Sequence, residues 1–277
     1  MLPNFLVIGA GRSGTTWIYE CLKEHPDVFV PKRIKELNFF NRHSNYERGV
    51  EWYEKFFKDH SGQKAIGEVT PTYLCCPEVP ARIYKHFPRM RLIVSLRNPV
   101  ERAYSSYIGY VLSGIVRRGV NILDASKKLV FDNQSSIVDH GFYFEHISRF
   151  LKYFSKEQMC ILLFDDLLDN PRLFIKTVYD FLMVDSSFIP SYIDKKVNSA
   201  KYSEALRKMN MVINCFGNMH PKLKKTADIL TRRARDLLVR NGYPAIDDNV
   251  RIRLNGIYKE DRERLSNLLN KDLTKWR

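Results

Sequence analysis

The sequence has no long hydrophobic run, no internal repeat and no low-complexity tract over its 277 residues. No stretch approaches the roughly 18 consecutive apolar residues of a membrane-spanning helix, and no basic segment with a cleavage site opens the chain, so we expect neither a transmembrane segment nor a signal peptide. Apolar residues make up 44% of the chain and charged residues 27%, values typical of soluble domains. The composition therefore predicts a globular protein and excludes disordered and collagen-like classes.

Cysteine is also scarce, and its spacing matches no common framework. The five cysteines form no CxxC pair and no cluster with histidine that suits a metal ion. An odd number without such patterns favours reduced, structural thiols. We therefore expect neither disulfides nor a bound metal, and a cytoplasmic location. The cysteines are Cys21, Cys75, Cys76, Cys160 and Cys215.

Acidic residues are few relative to basic ones, with 31 Asp and Glu against 45 Lys and Arg, a formal net charge of +14. This excess predicts an anionic partner without identifying it. Residues 201–240 hold ten Lys and Arg and three Asp and Glu, so half of the excess lies there. A solvated helical face and an anion-binding surface both explain this segment, and the sequence leaves the choice open.

Apolar runs of strand length alternate with helical patterns, which is typical of an α/β fold with a central, mainly parallel sheet flanked by helices. The strands are predicted at 5–8, 65–68, 91–96 and 160–164, and the helices at about 15–24, 77–87, 99–114, 136–154 and 170–182. Pro77, Pro99 and Pro171 are expected near the first positions of their helices, where the missing N–H costs little. Residues 1–277 are predicted to form one domain with a helical C-terminal portion from about 200, including a helix over 221–240.

The loop after the first strand, from Gly9 to Trp17, contains three glycines and opens a helix. Its backbone N–H groups and the helix dipole can therefore bind an anion. Gly9, Gly11 and Gly14 match the dinucleotide pattern GxGxxG, which is a weak signal by itself. The acidic residue expected about 20 positions later, which binds the ribose, has only Glu36 as a candidate in a basic region.

The same loop nearly matches the nucleoside-triphosphate pattern GxxxxGK[ST]. Thr16 stands where a magnesium-binding hydroxyl belongs, but Thr15 replaces the lysine and the cation is Arg12. A strand ending in Asp165 and Asp166 resembles the acidic strand of such enzymes. An NTPase or kinase is therefore an alternative, although acidic turn residues after a strand are common.

A second anion site is predicted at the end of the strand over 91–96. This buried strand delivers Arg97 to the edge of the sheet where open α/β folds bind ligands. Pro99 then starts a helix that carries Ser105 two turns later. An ion pair within the fold is the alternative role for Arg97.

The two anion motifs, in this order, resemble the cofactor motifs of sulfotransferases that use 3′-phosphoadenosine 5′-phosphosulfate (PAPS). The resemblance implies a P-loop-like sulfotransferase fold that binds PAPS and releases PAP (3′-phosphoadenosine 5′-phosphate). It implies that Arg97 and Ser105 bind the 3′-phosphate. It also implies a 5′-phosphosulfate loop made of Gly11, Arg12, Ser13, Gly14, Thr15, Thr16 and Trp17. A sulfuryl group carries less charge than a phosphoryl group, so no metal is expected.

Two further segments, 34–40 and 49–57, resemble heparan sulfate sulfotransferases, especially the N-sulfotransferase domain and the 3-O-sulfotransferases. In those enzymes the glutamate two residues before paired phenylalanines is the proposed base, and Glu36 holds that position here. A carboxylate beside the donor can accept the proton of an acceptor hydroxyl or amine. A salt bridge from Glu36 to Lys35 or Arg33 is the structural alternative.

The sequence departs from that family at two cations. Arg12 replaces the lysine of the cofactor loop, which keeps the charge but changes the donor geometry. Val69 stands where the heparan enzymes have a second lysine near the sulfate, so Arg12 and Lys35 are expected to carry the charge between them, or the site is tuned to another acceptor. Lys201 lies in a degenerate form of the loop that closes over the cofactor, and it is a further candidate ligand of the 3′-phosphate.

We therefore predict a PAPS-dependent sulfotransferase in which Glu36 and Arg12 are catalytic. The acceptor is expected to be a carbohydrate hydroxyl or amine, with another small alcohol or amine as a possibility, and nucleic acid is not expected as a partner. Besides the NTPase or kinase, a non-catalytic module that binds an acidic polymer through 201–240 is the alternative. The sequence does not predict the oligomeric state.

Overall fold

The computed structural model describes residues 2–113, 115–117, 119–128, 130–131, 134–135, 137–195 and 246–276. They belong to two compact units. The first comprises Met1–Pro99, Phe142–Val197 and Lys259–Arg277, and the second comprises Val100–Gly141 and Asn198–Tyr258. Lys201, the helix predicted over 221–240 and the basic segment 201–240 lie outside the described residues.

The first unit is built on a five-stranded parallel sheet, which confirms the predicted fold class. Its strands are β1 Phe5–Gly9, β2 Val28–Phe29, β3 Ala65–Val69, β4 Arg91–Leu96 and, later in the chain, β7 Met159–Leu163, in the spatial order β2-β3-β1-β4-β7. The second unit contains a two-stranded antiparallel pair, β5 Val130–Phe131 and β6 Gln134–Ser135. The sequence pattern predicted the four longer strands of the sheet but missed β2, which is too short to show a periodicity.

The helices in the described ranges are α1 Thr15–Glu24, α2 His43–Tyr46, α3 Val50–Glu54, α4 Val79–His86, α5 Pro99–Leu112, α6 Ile122–Lys128, α7 Tyr143–Phe150, α8 Phe164–Asp169, α9 Pro171–Leu182 and α10 Asp248–Leu269. Short 3-10 turns occupy Pro71–Tyr73, Asp139–Gly141, Lys156–Gln158 and Thr274–Trp276. None of these helices is both long and apolar enough to cross a membrane.

The sheet of the first unit has a hydrophobic layer on each face, because side chains alternate along a strand. In β1, Leu6 and Ile8 point into a core that includes α4, α7 and the C-terminal Trp276. Phe5 and Val7 point into the opposite core, which includes α1 and α9. Burial on both faces explains why β1 and β4 read as continuous apolar runs.

Several boundaries of helices and strands differ from the sequence prediction. The helix expected over 136–154 is α7, which begins at Tyr143 because Asp261 accepts hydrogen bonds from the backbone N–H groups of Phe144 (3.0 Å) and Glu145 (3.2 Å) and so caps it. The proline in the first turn of α4 is Pro80, not Pro77. The strand expected over 160–164 ends at Leu163, because Phe164 begins α8.

Candidate active site

The order of the strands distinguishes between the nucleotide-binding patterns that the loop after β1 matches. In the dinucleotide-binding fold the second strand lies beside the first. Here β1 lies between β3 and β4, and β2 is at the edge of the sheet. The chain leaves β1 toward one side of the sheet and later returns to β4 on the other, so a crevice is expected outside the carboxyl ends of β1 and β4.

The loop between β1 and α1 is fixed in place by β4. The backbone N–H of Ala10 donates to the Ser95 carbonyl (2.8 Å), and the Ser95 hydroxyl donates to the Ser13 carbonyl (2.6 Å). Gly14 has a φ of 83°, and a Cβ there would lie 2.8 Å from Leu167 Cδ2, so any other residue would be strained at this position. The loop thus enters α1 in a defined conformation.

Three features of this loop suit an anion. The first-turn N–H groups of α1 have no acceptor within the helix, and that turn contains no acidic residue. A Cβ on Gly11 would meet no described atom within 4 Å, so a ligand can approach its backbone. The Ser13 hydroxyl is fully buried and has no hydrogen-bond partner among the described residues. A buried hydroxyl without a partner favours a site completed by a ligand.

Of the two arginines predicted for this site, Arg97 reaches the loop through its side chain and Arg12 is part of the loop. Arg97 follows β4 directly, and its guanidinium donates to the backbone carbonyl of Arg12 (3.4 Å). The Arg97 guanidinium also lies over the Phe164 ring, 5.0 Å from the centroid. Arg12 itself is exposed, and its φ of 71° turns the backbone into the left-handed region. The structure therefore brings Arg12 and Arg97 together at the ends of β1 and β4.

Glu36 is linked to the loop by Lys35. The Lys35 ammonium donates to the Thr16 hydroxyl at the start of α1 (3.1 Å) and contacts Glu36 Oε1 (3.2 Å). The side chain of Lys35 is 21% exposed and that of Glu36 44% exposed, so the carboxylate is open to solvent. The salt bridge expected as a structural alternative, between Lys35 and Glu36, therefore exists. It joins Glu36 to the loop from Gly9 to Trp17, which we call the anion loop.

The remaining predicted ligands differ in their surroundings. Thr15 is buried. Trp17 is also buried, and its ring packs edge-on against Phe174 in the core. Ser105 lies half-buried on α5 in the second unit. Val69 is fully buried in the core that includes α1.

Asp165 and Asp166, the residues behind the NTPase alternative, bind the C-terminal segment. The indole N–H of Trp276 donates to Asp165 Oδ2 (2.7 Å), and the Lys271 ammonium lies 3.8 Å from Asp166 Oδ2. Both carboxylates sit in the first turn of α8. No group of three or more His, Cys, Asp or Glu side chains in the described part of the chain is arranged to hold a metal ion.

Sequence reasoning missed a buried polar network behind Glu36. Its centre is Glu68 in β3, which is fully buried and hydrogen-bonded to Tyr53, Thr70 and Tyr73. Burial raises the pKa of the Glu68 carboxyl, and the hydrogen bonds from the three hydroxyls partly offset the increase. A glutamate within a strand that is otherwise apolar was the available signal, because a charged side chain there needs internal partners.

Comparisons with known proteins identify relatives of this chain. Mouse heparan sulfate glucosamine 3-O-sulfotransferase 5 is 31% identical over 233 residues, which are 80% of this chain and 66% of the mouse protein. Human bifunctional heparan sulfate N-deacetylase/N-sulfotransferase 3 is 30% identical over 98% of this chain and 30% of its own length. The chain thus spans slightly less than two thirds of the first relative and under a third of the second.

A solved structure supports the fold. The sulfotransferase from Alicyclobacillus acidocaldarius superposes with a TM-score of 0.74, covering 100% of this chain and 99% of that one at 22% identity. The family model described as "Sulfotransferase domain" matches residues 2–219. The chain therefore belongs to the sulfotransferase family.

Proposed function

We propose that this protein transfers the sulfuryl group of PAPS to a hydroxyl or amine of a carbohydrate. The observation that carries the proposal is the position of Lys35, whose ammonium contacts both Thr16 of the anion loop and Glu36. The separation of those two oxygens cannot exceed the sum of the two contacts, so a general base lies beside the loop that would hold the reacting end of the donor.

The residues of the loop fit the 5′-phosphosulfate of PAPS. The N–H groups at the start of α1, the space beside Gly11 and the buried Ser13 hydroxyl would bind its anionic oxygens. PAPS supplies an activated sulfuryl group when bound. Arg97 would hold the 3′-phosphate, and Ser105 and Lys201 stay sequence-based candidates for the same phosphate.

Glu36 would accept the proton of the acceptor hydroxyl or amine. Its carboxylate is exposed to solvent, so an acceptor can reach it. The adjacent Lys35 ammonium would face the negative charge that develops at the donor. With Arg12, Lys35 would supply the positive charge that the heparan enzymes place at the position of Val69.

The carbohydrate acceptor is supported by the relatives, whose names assign them to heparan sulfate and, for the first, to its glucosamine. The non-catalytic alternative concerns 201–240, which lies outside the described residues, so it stays a prediction. A cytoplasmic location and a single domain likewise stay predictions from the sequence.

Calorimetric titration tests the nucleotide. We expect PAP to bind without added metal, and neither ATP–Mg²⁺ nor NADPH to bind comparably. The same protein is then given labelled PAPS and a panel of desulfated saccharides, small alcohols and amines. Saturable PAP binding with label in a saccharide supports the proposal. Tight ATP–Mg²⁺ binding without PAP binding would overturn the proposal in favour of an NTPase or kinase. Binding of an acidic polymer without PAP binding would overturn it in favour of a non-catalytic binding module.

A further inference from the structure

The segment that carries Glu36 has no regular secondary structure of its own from residue 30 to residue 42. Its backbone N–H groups therefore need other acceptors, and four successive ones after Glu36 find them in side chains of β3 and the turn that follows. Leu37 N–H donates to Glu68 (3.4 Å) and Asn38 N–H to the Thr70 hydroxyl (3.4 Å). Phe39 and Phe40 N–H groups both donate to the Tyr73 hydroxyl, at 2.9 and 3.4 Å.

The directions of these hydrogen bonds are fixed by proton inventory. A backbone N–H can only donate, so the Thr70 and Tyr73 oxygens accept from the segment. Their own hydroxyl protons are then left to donate to Glu68, and they do so at 2.5 Å for Thr70 and 2.7 Å for Tyr73. Both Glu68 oxygens accept hydrogen bonds. An ionised carboxylate can accept at both oxygens, whereas an amide or a protonated carboxyl carries a hydrogen-bond donor at one of its two positions.

Hydrophobic packing anchors the same segment but does not orient it. Phe39 and Phe40 are fully buried, and Phe39 stacks on Tyr53 with ring centroids 4.4 Å apart. Such contacts set how deeply the segment sits, whereas aligned hydrogen bonds define the path of its backbone. Glu36 is the residue immediately before this bonded run, so its direction depends on that path.

We propose that Glu68 is a positioning residue that orients Glu36 through the Thr70 and Tyr73 hydroxyls. This inference rests on the proposed function, in which Glu36 is the base. Glu68 itself is fully buried, and its carboxylate is hydrogen-bonded to Tyr53, Thr70, Tyr73 and the Leu37 N–H. A displacement of the base by about 1 Å can lower turnover about a hundredfold, so a misoriented segment would reduce kcat more than donor binding.

The chain offers a matched pair of variants to test this role. Tyr53 and Tyr73 are both buried and both donate to Glu68 Oε1, but only Tyr73 also accepts from the segment. Tyr73→Phe and Glu68→Gln should therefore misalign Glu36. Tyr53→Phe removes a hydrogen bond to the same carboxylate, but it keeps the ring that stacks on Phe39 and removes no hydrogen bond to the segment. The readouts are kcat and KM for transfer, PAP affinity, thermal stability and amide hydrogen exchange of residues 37–40.

We expect Tyr73→Phe and Glu68→Gln to lower kcat ten- to a hundredfold, with PAP affinity within about threefold of wild type. Exchange at residues 37–40 should accelerate in both variants and stay near wild type in Tyr53→Phe. Equal kcat losses in Tyr53→Phe and Tyr73→Phe, or unchanged exchange in Tyr73→Phe, would overturn the role. If Glu68→Gln does not fold, the tyrosine pair still decides. If wild type transfers no sulfuryl group, the proposed function fails, and the exchange data separately show whether the network orders the segment.

Discussion

The hydrogen bond from Ser95 of β4 to the anion loop predicts how much Ser95→Ala should weaken PAP binding. The Ser95 hydroxyl is fully buried and donates to the Ser13 carbonyl at 2.6 Å, and Ser13 is fully buried too. Removing the donor leaves that carbonyl without this bond in the protein interior, which costs about 1–3 kcal/mol. The methyl side chain leaves the backbone bond from Ala10 to residue 95 intact, so the sheet itself should persist.

Part of that cost is relieved when the loop leaves its binding conformation. Each 1.4 kcal/mol corresponds to about tenfold in affinity, so the PAP dissociation constant should rise, by at most about 5- to 140-fold if the whole cost opposes binding. Calorimetry measures this change, and thermal denaturation measures how much of the cost appears as lost stability. Both the PAP dissociation constant and the thermal stability must be measured, because the lost hydrogen bond can weaken nucleotide binding, the folded state or both.

Ser266→Ala is the matched control. The Ser266 hydroxyl donates to the Lys271 carbonyl at the same distance of 2.6 Å, but it lies at the C-terminal end of α10 and is partly exposed. Its loss should leave PAP affinity unchanged. A folded Ser95→Ala variant that binds PAP as tightly as wild type would refute the reasoning that β4 holds a nucleotide loop.

Three further outcomes are expected. Burial raises the pKa of the Cys160 thiol to about 12, so its thiolate fraction at pH 8 is about 10⁻⁴ and alkylation, followed by mass spectrometry, should be far slower than for a model thiol. Asp165→Ala removes the acceptor of the buried Trp276 indole, so chemical denaturation should show a loss of about 1–3 kcal/mol with PAP affinity unchanged; a selective loss of nucleotide binding would instead favour the NTPase alternative. Burial raises the pKa of Glu68 in the folded state, so between the unfolded and the folded pKa the folded protein binds more protons, and the free energy of unfolding should fall as pH rises through that interval. In denaturation series at several pH values, Glu68→Gln should lack this slope. An unchanged slope in the variant would contradict the raised pKa of Glu68.

The sequence was sufficient for the elements that have a strong local signal. Strand β4 and helix α5 follow from an apolar run ending in Arg97 and from Pro99 at the first helical position. The anion loop follows from its glycines between a strand and a helix. In both cases the information lies within about ten consecutive residues, which is the range that pattern reasoning covers.

Long-range partners could not be predicted in the same way. The start of α7 depends on Asp261, more than a hundred residues later. The surroundings of Glu36 depend on Lys35 meeting Thr16 and on Glu68 meeting Tyr53 and Tyr73, and none of these pairings has a spacing rule. The buried side chain of Trp17 likewise became evident only from its contact with Phe174.

The most direct test of the account is transfer of labelled sulfuryl from PAPS by Glu36→Gln. The control is Glu47→Gln, since Glu47 is 62% exposed and pairs with His43 outside the site. Loss of a general base typically lowers the rate by about 10²–10⁴, so we expect a loss of that size with PAP affinity unchanged, and wild-type turnover in the control. Wild-type turnover in Glu36→Gln would contradict the claim that Glu36 deprotonates the acceptor.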